Sequence, residues 1–203
     1  METILRMTLV GWVIFVFSLI PFAPLIIGLI KQKDQSQTFL TWILYLILDC
    51  ITMFSNIKVG PHGYVMLFGF AVGSLIMSAI LFYQKRFARW SLVETITLLL
   101  ITICLIIWKL GGSYWALTSG IASETIVGLY LMRRTFRDPV VRYNMSGYSL
   151  FLLVSVITLL TAQEWTISEV GFALPETILN SIILIPLIIK RRKEKRESFY
   201  KIL

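Results

Sequence analysis

Apolar residues follow one another almost without interruption through most of this chain, and polar residues gather in short breaks between the apolar runs. Seven runs, roughly 8–30, 38–57, 63–83, 90–108, 114–132, 146–163 and 170–189, approach the ~20 residues that a helix needs to cross hydrocarbon. The longest internal break runs only from Arg133 to Asn144, which leaves no space between runs for a separate domain in water. The pattern therefore predicts an all-α integral membrane protein of seven transmembrane helices. The first run follows a single Arg6, exceeds the length of a signal-peptide core and has no small-residue cleavage site after it, so it reads as a retained helix.

Composition agrees, with 57% hydrophobic and 15% charged residues, far from the balance of a soluble domain. A net charge of +8 would raise the question of nucleic acid in a soluble protein, but the placement of the bases gives another reading. If the seven runs cross in alternation, 16 of the 19 Lys and Arg fall on one side, and only Arg6, Lys58 and Lys109 on the other. Cytoplasmic loops accumulate bases, so the N-terminus is predicted outside and the C-terminus in the cytoplasm, with no nucleic-acid partner. A false or missing span would move every later loop across and blur the split. Trp90, Trp108, Trp115 and Trp165 fall near run ends, where aromatic belts form. The tail from Lys190 to Lys201 reads as a positive-inside anchor, with an anionic-lipid patch as the alternative.

Against this background the polar residues inside the runs carry the chemistry. An ionised carboxylate at the centre of a span costs about 2.5 to 3.5 kcal/mol on insertion scales, so it marks a functional candidate. Asp49 and Glu124 fall near the midplane of the second and fifth runs; Glu176 follows Pro175 in the seventh, and Asn180 lies one turn further along the same face. Glu94, four residues after Trp90, is close enough to the cytoplasmic end to reach the interface. No Lys, Arg or His lies deep in a run. Carboxyls without a fixed positive charge suit a proton, or a cationic or hydroxyl-rich solute; the alternative is that each packs by hydrogen bonding to a neighbouring helix. Pro21, Pro24 and Pro175, with Pro186, each remove one backbone hydrogen bond, and the first three are candidate hinges. Tyr45, Tyr64 and Tyr114 offer stacking or hydrogen bonds, or simply packing.

Several chemistries are excluded. The only histidine, His62, lies in a loop, which leaves no His at depth for a serine protease or a zinc site of the His-Glu-x-x-His type. No lysine lies mid-span to hold retinal, Asp49 is the only deep aspartate, and there is no phosphate-binding glycine loop. Cys50 and Cys104 fall inside apolar runs and read as packing residues. No enzyme activity, metal or cofactor is predicted.

The arrangement of seven spans in a 3+1+3 plan, the outside N-terminus, the length near 200 and the prolines Pro21 and Pro24 resemble the SWEET and PQ-loop transporter superfamily. Weak internal matches accompany the layout: Phe22 to Leu29 against Ala122 to Leu129, Ser36 against Ser146, and Lys85-Arg86 against Lys190-Arg191. The superfamily's Pro-Gln dipeptide is replaced here by Pro24-Leu25 and Glu124-Thr125; of its paired asparagines Asn180 has a counterpart region at Gly73, Ser74 and Leu75. The resemblance implies a first triple-helix unit at 1–84, a linker helix at 85–112, a second unit at 113–192 and a basic tail at 193–203, the units being parallel repeats. Taken with the deep carboxyls, the layout predicts a secondary carrier of a small polar or cationic solute, proton-coupled or not, with Asp49, Glu124, Glu176 and Asn180 forming a midplane site between the two units. Nicotinamide riboside carriers and KDEL-type cargo receptors share the helical plan, so a non-transporting receptor or assembly protein is the alternative. The partners are then a small-molecule solute, protons and the bilayer, with further copies of the chain an open alternative. Short loops point to a prokaryotic inner membrane.

Overall fold

A computed structural model describes residues 9–32, 38–59, 64–87, 92–137 and 142–200. Lys33, Ser36, His62, Arg89, Trp90 and Lys201, used above, lie outside the described residues. Eight helices and no strand are found among them: α1 Leu9–Leu19, α2 Phe22–Gln32, α3 Phe39–Val59, α4 Tyr64–Tyr83, α5 Leu92–Arg137, α6 Arg142–Thr161, α7 Ile167–Val170 and α8 Ala173–Tyr200. The protein is all-helical over this range, with five stretches long and apolar enough to cross a membrane: Gly11–Lys31, Phe39–Val59, Tyr64–Tyr83, Glu94–Leu129 and Ile167–Ile189. A shorter apolar helix covers Met145–Thr161.

The breaks follow from single residues. Pro21 cannot donate a backbone hydrogen bond, and the first run turns there, with the Ala23 N–H bonded to the Ile20 carbonyl at 3.1 Å between α1 and α2. Pro24 and Pro175 instead occupy the first turns of α2 and α8, where the missing N–H costs no intrahelical bond. Gly112 interrupts α5 with φ +81° and ψ −173°, a conformation that favours glycine. The interruption is a fold-back: Cys104 Sγ and Ser123 Oγ lie 3.3 Å apart, whereas 19 residues of straight helix would separate them by about 28 Å. The arms of α5, 92–111 and 113–137, are therefore antiparallel.

Two close approaches fix how the helices pack. α4 carries glycines four residues apart, Gly69 and Gly73, and a Cβ at either would collide with Ser18 of α1 or the Phe22 ring of α2. Small residues at this spacing let helices approach in lipid, where the hydrophobic effect between them is lost. Elsewhere a Cβ at Gly120 of α5 would meet Thr52 Oγ1 of α3 at 2.5 Å. The resulting neighbours are α4 between α1 and α3, and α8 between α5 and α6, while α6 meets α1 and α2, and α3 meets α5. Rings of Phe22, Phe70, Phe151 and Phe172 join these elements at centroid distances of 5.1 to 6.0 Å.

The α4 terminus is closed by paired bonds, Lys85 N–H to Phe82 O at 2.9 Å and Arg86 N–H to Leu81 O at 3.0 Å, with Lys85 at φ 53°. This is the left-handed helix stop that glycine normally occupies, and a side chain there costs about 1 kcal/mol. Two outcomes are expected in detergent melts followed by size-exclusion chromatography. Lys85→Gly raises the melting temperature or leaves it unchanged, while Gly73→Leu lowers it sharply or abolishes the folded peak, because Phe22 has no room to retreat.

Candidate functional site

The surface and interior are arranged as hydrocarbon requires. Large apolar side chains such as Trp12, Phe54, Leu75, Leu99, Leu110 and Ile185 face outward, whereas the buried set includes Asp49, Thr52, Asn56, Ser74, Glu124 and Asn180. Polar groups turned inward in a protein of apolar helices need partners from other helices.

α3 supplies the organising face. Tyr45, Asp49, Thr52 and Asn56 recur at intervals of three and four residues, which places them in one stripe on the helix. Each of the last three reaches a different element. Ser74 of α4 donates through Oγ to Asp49 Oδ2 at 2.7 Å. Thr52 Oγ1 donates to Glu124 Oε1 of α5 at 2.7 Å. Asn56 Nδ2 donates to the Ser168 carbonyl of α7 at 2.9 Å. Glu176, in the first turn of α8, accepts from Asn180 Nδ2 at 2.9 Å through Oε2, the same nitrogen also bonding the Glu176 carbonyl at 2.7 Å.

These groups converge. Asp49, Glu124 and Glu176 lie within electrostatic reach of one another, and the Tyr45 hydroxyl interacts with all three and with Tyr148 of α6. Asp49, Glu124, Glu176 and, through Glu176, Asn180 are thus brought together from α3, α5 and α8. The hydrogen bonds do not exhaust them: Glu124 Oε2, the Tyr45 hydroxyl and Asn56 Oδ1 are buried without a hydrogen-bond partner among the described residues. Among those residues no group of three His, Cys, Asp or Glu is arranged to hold a metal ion. The chain matches no family model, no curated protein and no solved structure.

Other candidates separate from this cluster. Glu94 has the packing role, a hydrogen bond to a neighbouring helix: it is 3% exposed and accepts from Thr41 Oγ1 at 2.8 Å, where Thr38 Oγ1 also caps the start of α3 through the Thr41 N–H at 3.3 Å. Tyr64 packs in the core and Tyr114 lies on the surface. In the loop before α7, Glu169 Oε2 is taken by the backbone N–H groups of Gln163 and Glu164 at 2.7 and 2.9 Å. Pro21 stands at the break between α1 and α2, next to Phe22. Thr52 and Asn56 went unremarked in the sequence, although their spacing from Asp49 on one helix face was a readable signal.

Interhelical hydrogen bonds in membranes average about 0.6 kcal/mol, while an ionised carboxylate at depth costs about 2.5 to 3.5 kcal/mol. Asp49 and Glu124 each have one such bond and Glu176 only a bond within its own helix, which does not offset ionisation of all three. Thr52→Val, which removes one bond and leaves every carboxyl in place, is expected to cost about 1 kcal/mol of stability or less, measured as the melting temperature in detergent.

Proposed function

We propose that the chain crosses the membrane seven times and acts as a secondary carrier of a small polar or cationic solute, coupled to protons, at the seam between two three-helix units. The observation that carries this reading is the convergence of Asp49, Glu124, Glu176 and Tyr45 from helices of both units on one interior site, without a base in any of the apolar runs. The fold-back at Gly112 supports counting the Glu94–Leu129 stretch as two crossings. With α6 as a further crossing, the alternation leaves the N-terminus outside and the basic C-terminus in the cytoplasm.

The pattern of neighbours supports a parallel repeat. Let α1 with α2, α3 and α4 form the first unit, the first arm of α5 the linker, and the second arm, α6 and α8 the second unit. In each, the last helix lies between the other two, and the first helix of either unit meets the second helix of the other. This exchange symmetry suits two units that rock about a shared seam, and it resembles the SWEET and PQ-loop plan. The bond from Thr52 to Glu124 crosses that seam, so a carboxyl at the site changes its surroundings when the units move.

In proteoliposomes containing the full chain, an imposed pH gradient is expected to drive uptake of a transported solute, and Asp49→Asn or Glu124→Gln should each reduce it at least tenfold. Undiminished uptake in both variants rejects proton coupling through these carboxyls. A stable co-purified protein together with no flux of any tested solute rejects the carrier reading in favour of a receptor or assembly protein of the same helical plan.

A further inference from the structure

The buried atoms left without partners specify the ligand more narrowly. Glu124 is 6% exposed; one of its oxygens accepts from Thr52 and the other, Oε2, has no donor among the described residues. Asn56 Oδ1, two turns from Asp49 along the stripe, is likewise an unmatched acceptor. The Tyr45 hydroxyl, also buried without a partner among the described residues, belongs to the same α3 stripe, one turn before Asp49 and two before the Thr52 that bonds Glu124, and it can accept as well as donate. A buried acceptor left unmatched costs on the order of 1 to 3 kcal/mol, so a ligand that supplies N–H groups gains most here. A neutral polyol can also donate to these acceptors, but it brings no charge to balance a carboxylate.

We infer that the seam binds an organic monocation bearing N–H donors, held by Glu124 Oε2 and the Tyr45 hydroxyl, in exchange for a proton. The inference rests on the carrier reading and narrows its solute class. The titratable groups around Glu124 are Asp49 and Tyr45 of α3, Glu176 of α8 and Cys104 of the other α5 arm, with Tyr148 of α6 beyond Tyr45; α4 contributes the Ser74 hydroxyl. None is a base, so the site holds either a proton on Glu124 or the cation against its carboxylate. When the cation enters, the Glu124 proton leaves to water and the ammonium N–H takes its place; the charge of the occupied site is the same before and after. Proton and cation therefore move in opposite directions.

The test uses the full chain in detergent, with methylammonium and ethanolamine as probes, tetramethylammonium as a cation without N–H groups, and glycerol and glucose as neutral solutes. Thermal stabilisation gives apparent affinities at several pH values. Methylammonium and ethanolamine are expected to stabilise, with affinity weakening by up to about tenfold per pH unit on acidification, the limit for exchange of one proton. Tetramethylammonium should bind at least tenfold more weakly. Glu124→Gln should remove both binding and its pH dependence. Tyr45→Phe, which keeps the ring and the packing, should weaken binding at least fivefold at an unchanged melting temperature, and it carries the test if Glu124→Gln does not fold. Stabilisation by glucose or glycerol alone overturns the inference and leaves the carrier reading standing. Equal binding of tetramethylammonium, no binding of either ammonium probe, or unchanged affinity in both variants also overturns it. Absence of flux for every solute, by contrast, rejects the carrier reading itself.

Discussion

Hydrocarbon offers a protein no hydrogen bonds, and nearly every feature of this chain answers that constraint. Backbone groups are satisfied within helices, so no strand occurs among the described residues. Side chains that could bond to water are turned inward, where Ser74, Thr52 and Asn180 meet Asp49, Glu124 and Glu176. Where backbone must leave the helix, one residue makes it feasible: Pro21 at the first break and Gly112 at the fold-back. Association cannot draw on hydrophobic exclusion between helices already in lipid, so it falls to close contact, as at Gly69, Gly73 and Gly120.

The same constraint explains why the interior cluster is both structural and chemical. Each carboxyl has one neutral donor, enough to orient it and too little to stabilise it as a free anion in a low-dielectric site. The α3 stripe distributes these bonds over α4, α5 and α7, so one helix face holds elements of both proposed units in register. Glu124 differs from Asp49 and Glu176 in that its donor lies across the seam. A change in what its second oxygen binds is thereby coupled to how the two units sit against each other.

Much of the helical content was legible from the sequence because the apolar runs are long and their interruptions sharp. Asp49, Glu124, Glu176 and Asn180 stood out because charged and amide groups inside such runs are rare. Their convergence was not legible, since hydropathy places a residue along a helix and says nothing of which neighbour it faces. Glu94 shows the limit. A packing hydrogen bond was the readable role for Glu94, but only the fold shows that Thr41 of α3 supplies it. Pro24 and Pro175 show another, because a proline near a helix start and a proline at a break look alike until the start is fixed. The glycine pair in α4 was visible as a spacing, but only the position of Phe22 gives it a partner.

The turn at Gly112 also bears on how the arms of α5 are joined. Its two arms are joined with almost no connecting chain and touch through Cys104 and Ser123, so no loop separates them. In the proposed orientation the segment carried across bears Lys109 as its single fixed charge. Counted as two crossings, as proposed, the arms make one helical hairpin whose turn depends on the left-handed backbone that glycine adopts at position 112.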